Sequence, residues 1–139
     1  MNNEFVSYEI ALQLKELGFD EPCICGYNDY HLLRSKISSS FDGDFVKWDE
    51  KYDKDLKAPL YRQAFRFFRE KYNIQGYIYS SAVRGNAEKT KQFTGYIWNI
   101  NGIDMPFLST DARDELHDTY EEAELACLIK LIEIKTKSI

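Results

Sequence analysis

The stretch that begins at Thr119 constrains the fold more than any other part of this chain. Thr119-Tyr120-Glu121-Glu122 is a capping box, in which the Thr119 hydroxyl accepts from a first-turn amide and the Glu122 carboxylate reaches back. Ala123, Leu125, Ala126, Leu128, Ile129, Leu131 and Ile132 follow and are apolar over more than half of a helical circumference. Acids stand in the first turns and Lys130, Lys135 and Lys137 near the end, as the helix dipole favours. A helix this apolar has to be covered, and a sheet is the surface expected to cover it.

Two more helices are predicted. Ser7 caps a helix to Leu17 on which Ile10, Leu14 and Leu17 repeat, with Gly18 as the left-handed stop and Phe19 folding back. Pro59 opens a second helix that runs to about Tyr72, with Leu60, Ala64, Phe67 and Phe68 on one stripe. Strands are expected at Cys23–Tyr27 and Tyr30–Ile37 around an Asn28-Asp29 turn, at Gln75–Ser81, and at Phe93–Ile100. The last returns through Ile103–Phe107 after Asn101-Gly102, a strong hairpin turn. Ser38–Asp55, with six acids, reads as an insertion loop, and Val83–Thr90 as a turn. The order α-β-β-α-β-β-β-α predicts an α+β fold, an antiparallel sheet of about five strands packed against three helices. A length of 139 residues suits a single domain, 1–139, with 38–55 as a flexible insertion.

Charge is distributed unevenly. Lys57 to Phe93 holds eight cations (Lys57, Arg62, Arg66, Arg69, Lys71, Arg84, Lys89, Lys91) against Glu70 and Glu88. That is +6 inside a chain of −5, which leaves −11 elsewhere. A local basic zone on an acidic protein points to a small anionic partner and argues against a general duplex-DNA coat. Arg62, Arg66 and Arg69 lie at i, i+4 and i+7, so they share a helix face. Arginine matches oxyanions bidentately, although a solvated polar face is the plain alternative. Tyr77, Tyr79, Tyr96 and Trp98 are candidates for a stacking platform, with Arg84, Lys89 and Lys91 on the neighbouring loop. Cross-strand packing is the plain alternative for those rings.

Other chemistry is thin. Cys23-Ile24-Cys25 lacks the four-ligand spacing of a zinc site, and only two histidines are present, so no metal or cofactor is expected. His117-Asp118 has only His31 left to help complete a phosphohydrolase centre, which needs further histidines, and no glycine loop cradles phosphate. No nucleophile stands in an elbow, so catalysis is the lesser expectation and a small nucleotide hydrolase the second alternative. No run of about eighteen apolar residues is present, so no membrane span is expected. The opening Met1-Asn2-Asn3-Glu4 lacks a secretion pattern, and three cysteines suit a reducing cytoplasm.

Three blocks carry a family resemblance. Tyr8–Cys23 (YEIALQLKELGFDEPC), Ala58–Tyr72 (APLYRQAFRFFREKY) and Thr119–Leu128 (TYEEAELACL) resemble uncharacterised short proteins of bacteriophages and mobile elements of gut Bacteroidetes. Cys25 and the Ser38–Asp55 insertion depart from that pattern. The resemblance implies a phage accessory protein acting in a bacterial host cytoplasm, with counter-defence among its roles, and it brings no assigned activity. A weaker, topological likeness links Pro59–Lys137 to double-stranded-RNA-binding domains. Those place lysines where this chain has Glu121, Glu122 and Glu124.

The leading expectation is a non-enzymatic binding protein for an anionic ligand such as a nucleotide signal. Its site would comprise Arg62, Arg66, Arg69, Tyr77, Tyr79, Arg84, Lys89, Lys91 and Trp98. The alternative is an inhibitor of a host protein acting through the acidic 42–55 loop, where Phe45, Val46 and Trp48 are embedded. Surface rings leave room for a homo-oligomer.

Overall fold

The computed structural model describes residues 4–35, 37–39, 46–48, 55–84, 91–102, 105–109 and 116–138. Two units divide the chain, Met1–Ala64 and Phe65–Ile139.

In the first unit, helix α1 (Tyr8–Glu16) is capped as expected: the Ser7 hydroxyl accepts from the Ile10 amide at 3.3 Å. Gly18 takes φ 97°, and the Phe19 amide donates to the Leu14 carbonyl at 2.9 Å, which closes the helix end. Ile10, Ala11, Leu14, Leu17 and Phe19 are buried. Strand β1 (Cys25–Tyr27) pairs antiparallel with β2 (Leu33–Ser35). A separate pair joins β3 (Ile37–Ser39) to β4 (Val46–Trp48). Strand β5 (Leu56–Ala58) lies on the other side of β1, so the sheet order is β2-β1-β5.

Asn28 lengthens the first hairpin beyond the two-residue turn that the sequence suggests. Its side-chain oxygen accepts from the Tyr30 and Leu32 amides at 2.9 and 3.0 Å, while its own amide donates to the Leu32 carbonyl. Residues 28–32 therefore form a five-residue loop, because the asparagine side chain replaces ladder partners. His31 sits at φ 60°, and its ring stacks on Tyr8 with centroids 3.6 Å apart. Across the sheet, Arg34 grips Asp55 bidentately (Nε–Oδ2 2.6 Å, Nη2–Oδ1 2.7 Å), with the Asp55 side chain only 6% exposed.

Helix α2 (Tyr61–Tyr72) begins two residues after Pro59. Leu60 is held extended by a bridge to Phe5, and its amide donates to the Gln63 side chain at 3.0 Å. That makes Leu60 the cap and delays the first helical residue. The helix starts in the first unit and ends in the second.

Asn73, at φ 56°, turns the chain from α2 into β6 (Ile74–Arg84). This strand pairs antiparallel with β7 (Lys91–Gly102), and β7 with β8 (Met105–Ser109). Gly102 pairs with Met105, so the second reversal falls after Asn101-Gly102 and those two residues belong to the strand. Helix α3 (Tyr120–Ser138) keeps its expected cap: the Glu122 amide donates to Thr119 Oγ1 at 3.1 Å. The returning carboxylate accepts from the Asp118 amide at 3.2 Å, one residue earlier than a simple box.

The α+β class, the three helices and the antiparallel pairing agree with the sequence. The strands are shared among separate sheets instead of forming one. A helix, not a hairpin, connects β5 to β6, and the first sheet recruits Leu56–Ala58 from a stretch with no alternation to betray it. Of the expected 38–55 loop, 38–39 and 46–48 contribute to β3 and β4, and Asp55 anchors Arg34. The remaining residues lie outside those described.

The core of the second unit lies between its helices and one face of its sheet. An added Cβ at Gly76 would stand 2.7 Å from the Cys127 sulfur and 2.8 Å from the Phe65 ring. Both helices thus press on the face that carries Gly76. Phe65, Phe67, Phe68, Ile100, Cys127, Leu128 and Leu131 are buried there. Nearer the start of β7, Tyr96 and His117 exchange backbone hydrogen bonds of 2.8 and 2.9 Å as an isolated bridge. At adjacent Gly95 (φ 150°), a Cβ would meet the His117 carbonyl oxygen at 2.8 Å.

Candidate anion site

Because Ala64, Phe65, Phe67 and Phe68 turn inward, helical periodicity sends Arg62, Arg66 and Arg69 outward, and all three are exposed. Arg62 belongs to the first unit; Arg66 and Arg69 belong to the second. Arg66 Nε lies 4.0 Å from Glu70 Oε1, an exposed i,i+4 contact at the outer limit of an ion pair. Among the described residues, Arg69 forms no ion pair.

Arg69 lines an open concavity of about 370 Å³ together with Asn73, Gln75, Asn101 and Gly102. Local backbone geometry assembles it. The last turn of α2 carries Arg69, and the left-handed Asn73 folds the chain back on itself. The Ile74↔Gly102 and Gln75↔Asn101 pairs then bring the far end of β7 alongside. Among the described residues, the lining offers one guanidinium and three carboxamides, with no carboxylate, thiol or imidazole. Such a set donates hydrogen bonds to an anion and reads polar edges.

Register decides the fate of the aromatic platform. Residues directly opposite in an antiparallel pair share a face, and alternate residues along a strand share it too. Gln75, Tyr77 and Tyr79 lie opposite Asn101, Asn99 and Ile97, so these six share the face turned away from α3. The Tyr77 and Tyr79 rings stack at a 6.2 Å centroid distance and 23°, and Tyr79 is 44% exposed. The Tyr77 hydroxyl donates to Gln75 Oε1, which ties the rings to the concavity. Trp98 lies opposite Ile78, and Tyr96 opposite Ser80, both on the helix-covered face. Trp98 is only 7% exposed and Tyr96 packs edge-on against Tyr120. The expected four-ring platform therefore divides two and two, and Trp98 serves the core.

Arg84 and Lys91 also fall away from Arg69. They pair with each other nine positions along β6 from Gln75, roughly 30 Å at about 3.3 Å per residue. Lys89 lies outside the described residues. The structure thus brings together Arg69, Tyr77 and, one step further, Tyr79. It adds Asn73, Gln75 and Asn101, which sequence reasoning missed. Their only signal was the β6–β7 register, which sets Gln75 opposite Asn101. Lys57, counted in the basic stretch, is matched by Asp20 at 2.8 Å in the first unit.

No family model, curated protein or solved structure matches the chain. The functional assignment accordingly rests on the geometry of the site.

Proposed function

We propose that this chain is a non-enzymatic binding protein that captures a small anionic ligand of the nucleotide class. The observation that carries this is the Arg69 concavity, where a guanidinium meets three carboxamides among the described residues. Arg69 would take a phosphate oxygen pair, the arrangement for which guanidinium is suited. The carboxamides of Asn73, Gln75 and Asn101 would read polar edges, and Tyr77 and Tyr79 would provide an aromatic surface on the same side of the sheet. Stacking of a base on such a ring contributes about 1–3 kcal/mol. The blocks that resemble bacteriophage and mobile-element proteins support an accessory role in a bacterial cytoplasm. Sequestering a host signalling nucleotide would be a form of counter-defence.

Isothermal calorimetry with mononucleotides, cyclic nucleotides and short oligonucleotides tests the proposal. Arg69→Glu removes binding with an unchanged melting temperature, whereas Arg84→Glu, roughly 30 Å along the strand, leaves it intact. Binding that survives Arg69→Glu, or no heat from any nucleotide at millimolar concentration, refutes the assignment.

A further inference from the structure

The 28–32 loop of the first unit presents Tyr30 at 83% and Leu32 at 62% exposure, the most solvent-exposed large apolar side chains described. The loop is held in place. Asn28 accepts from two of its amides, and His31 is kept in a left-handed conformation that non-glycine residues rarely adopt while its ring lies on Tyr8. A rigid loop that projects an aromatic ring into water is organised for contact, since the ordering of the backbone precedes binding.

The same unit carries a receptacle of mixed character, part apolar wall and part charged rim. A cavity of about 170 Å³ is lined by Ala11, Phe19 and Leu56, with Lys15, Asp20, Asp55 and Lys57 at its walls. By volume alone it holds one phenol ring, since about 150 Å³ accepts benzene, and its charged rim suits the ring's hydroxyl. The charges around it largely cancel. Asp55 is gripped by Arg34 and Lys57 is bound to Asp20, which leaves Lys15 as the unmatched charge among the described residues. The projecting loop carries the opposite sign at Asp29, beside Tyr30.

We propose that the chain self-associates by seating Tyr30 of one copy in this cavity of a second copy, with Asp29 meeting Lys15. Reciprocal seating gives a twofold dimer, and one-way seating gives an open chain. A tyrosine buries about 150–250 Å², so the contact is small and the association concentration-dependent.

Analytical ultracentrifugation of the full chain from about 10 µM to about 1 mM, the regime of weak contacts, tests it. The expected result is a mass that rises with concentration above the 16.4 kDa of one chain. Tyr30→Ser weakens association on the order of tenfold or more, with an unchanged circular dichroism spectrum because the ring is exposed. Asp29→Lys and Lys15→Glu each weaken it, and the two combined in one chain restore it. A mass of one chain at every concentration overturns the proposal. So does association indifferent to Tyr30→Ser, or a charge exchange that fails to restore it.

Discussion

Gly76→Ala is the sharpest test of how the second unit is packed. An alanine in a strand interior ordinarily gains about 0.5–1 kcal/mol over glycine, because glycine loses more conformational freedom on folding. Here the new methyl would stand 2.7 Å from the Cys127 sulfur and 2.8 Å from Phe65 Cε1, both well inside van der Waals contact. Cys127 is fully buried on α3 and Phe65 is buried on α2, so neither side chain has room to swing aside. Over-packing of this kind costs about 1–3 kcal/mol, and the net change is a destabilisation of about 1–2 kcal/mol. At about 3–4 °C per kcal/mol for a chain of this size, the melting temperature falls by roughly 3–8 °C. The cause is isolated by a double-mutant cycle with Cys127→Ala, which removes the nearest clashing atom. The pair should be less destabilised than the sum of the singles by about 1 kcal/mol. Urea denaturation followed by the fluorescence of buried Trp98, in a Trp48→Phe background, reports on this unit. A stabilised Gly76→Ala, or strict additivity in the cycle, would refute the packing argument.

Three further outcomes are expected. The three thiols are silent to Ellman's reagent at pH 8 in the folded protein and all react in denaturant. Cys23, Cys25 and Cys127 are buried, and burial pushes the Cys127 thiol up to about 12 and raises that of Cys25; reaction of the native protein would contradict this. Asp20 titrates below the ordinary carboxylate value because Lys57 donates a hydrogen bond to it and adds its charge. With the folded pKa depressed, this interaction supports the fold at neutral pH and is lost as pH falls through the lowered value. Lys57→Met should return the Asp20 carboxyl, followed by NMR, toward the ordinary value of about 3.9. Thr119→Ala removes the α3 cap and should cost about 1 kcal/mol in denaturant melts, with no change in nucleotide calorimetry.

Features set by short-range chemistry were legible in the sequence. Ser7, Gly18 and Thr119 act through residues three or four positions away, and the structure uses each as a helix signal. The exposed arginine face followed from periodicity on α2 alone. The alternation of Tyr77, Ile78 and Tyr79 was visible too, but its pairing was not. Which residues share a face with Tyr77 depends on register, and one residue of slip exchanges the faces. Placing the reversal at Asn101-Gly102 hid Asn101 as a strand residue, and without the β6–β7 register Trp98 was grouped with the tyrosines. The split between sheets was equally hidden, because Leu56–Ala58 is too short to show a period.

The Tyr96–His117 bridge bears on how β7 is sealed along its length. Among the described residues, β8 matches β7 from Asn99 onward, and a strand edge left unpaired offers amides and carbonyls to another chain. His117 occupies one of those rungs, and Gly95 is the thin spot that lets its carbonyl approach. A bulky residue there would lift the latch and open that rung to a strand from another molecule.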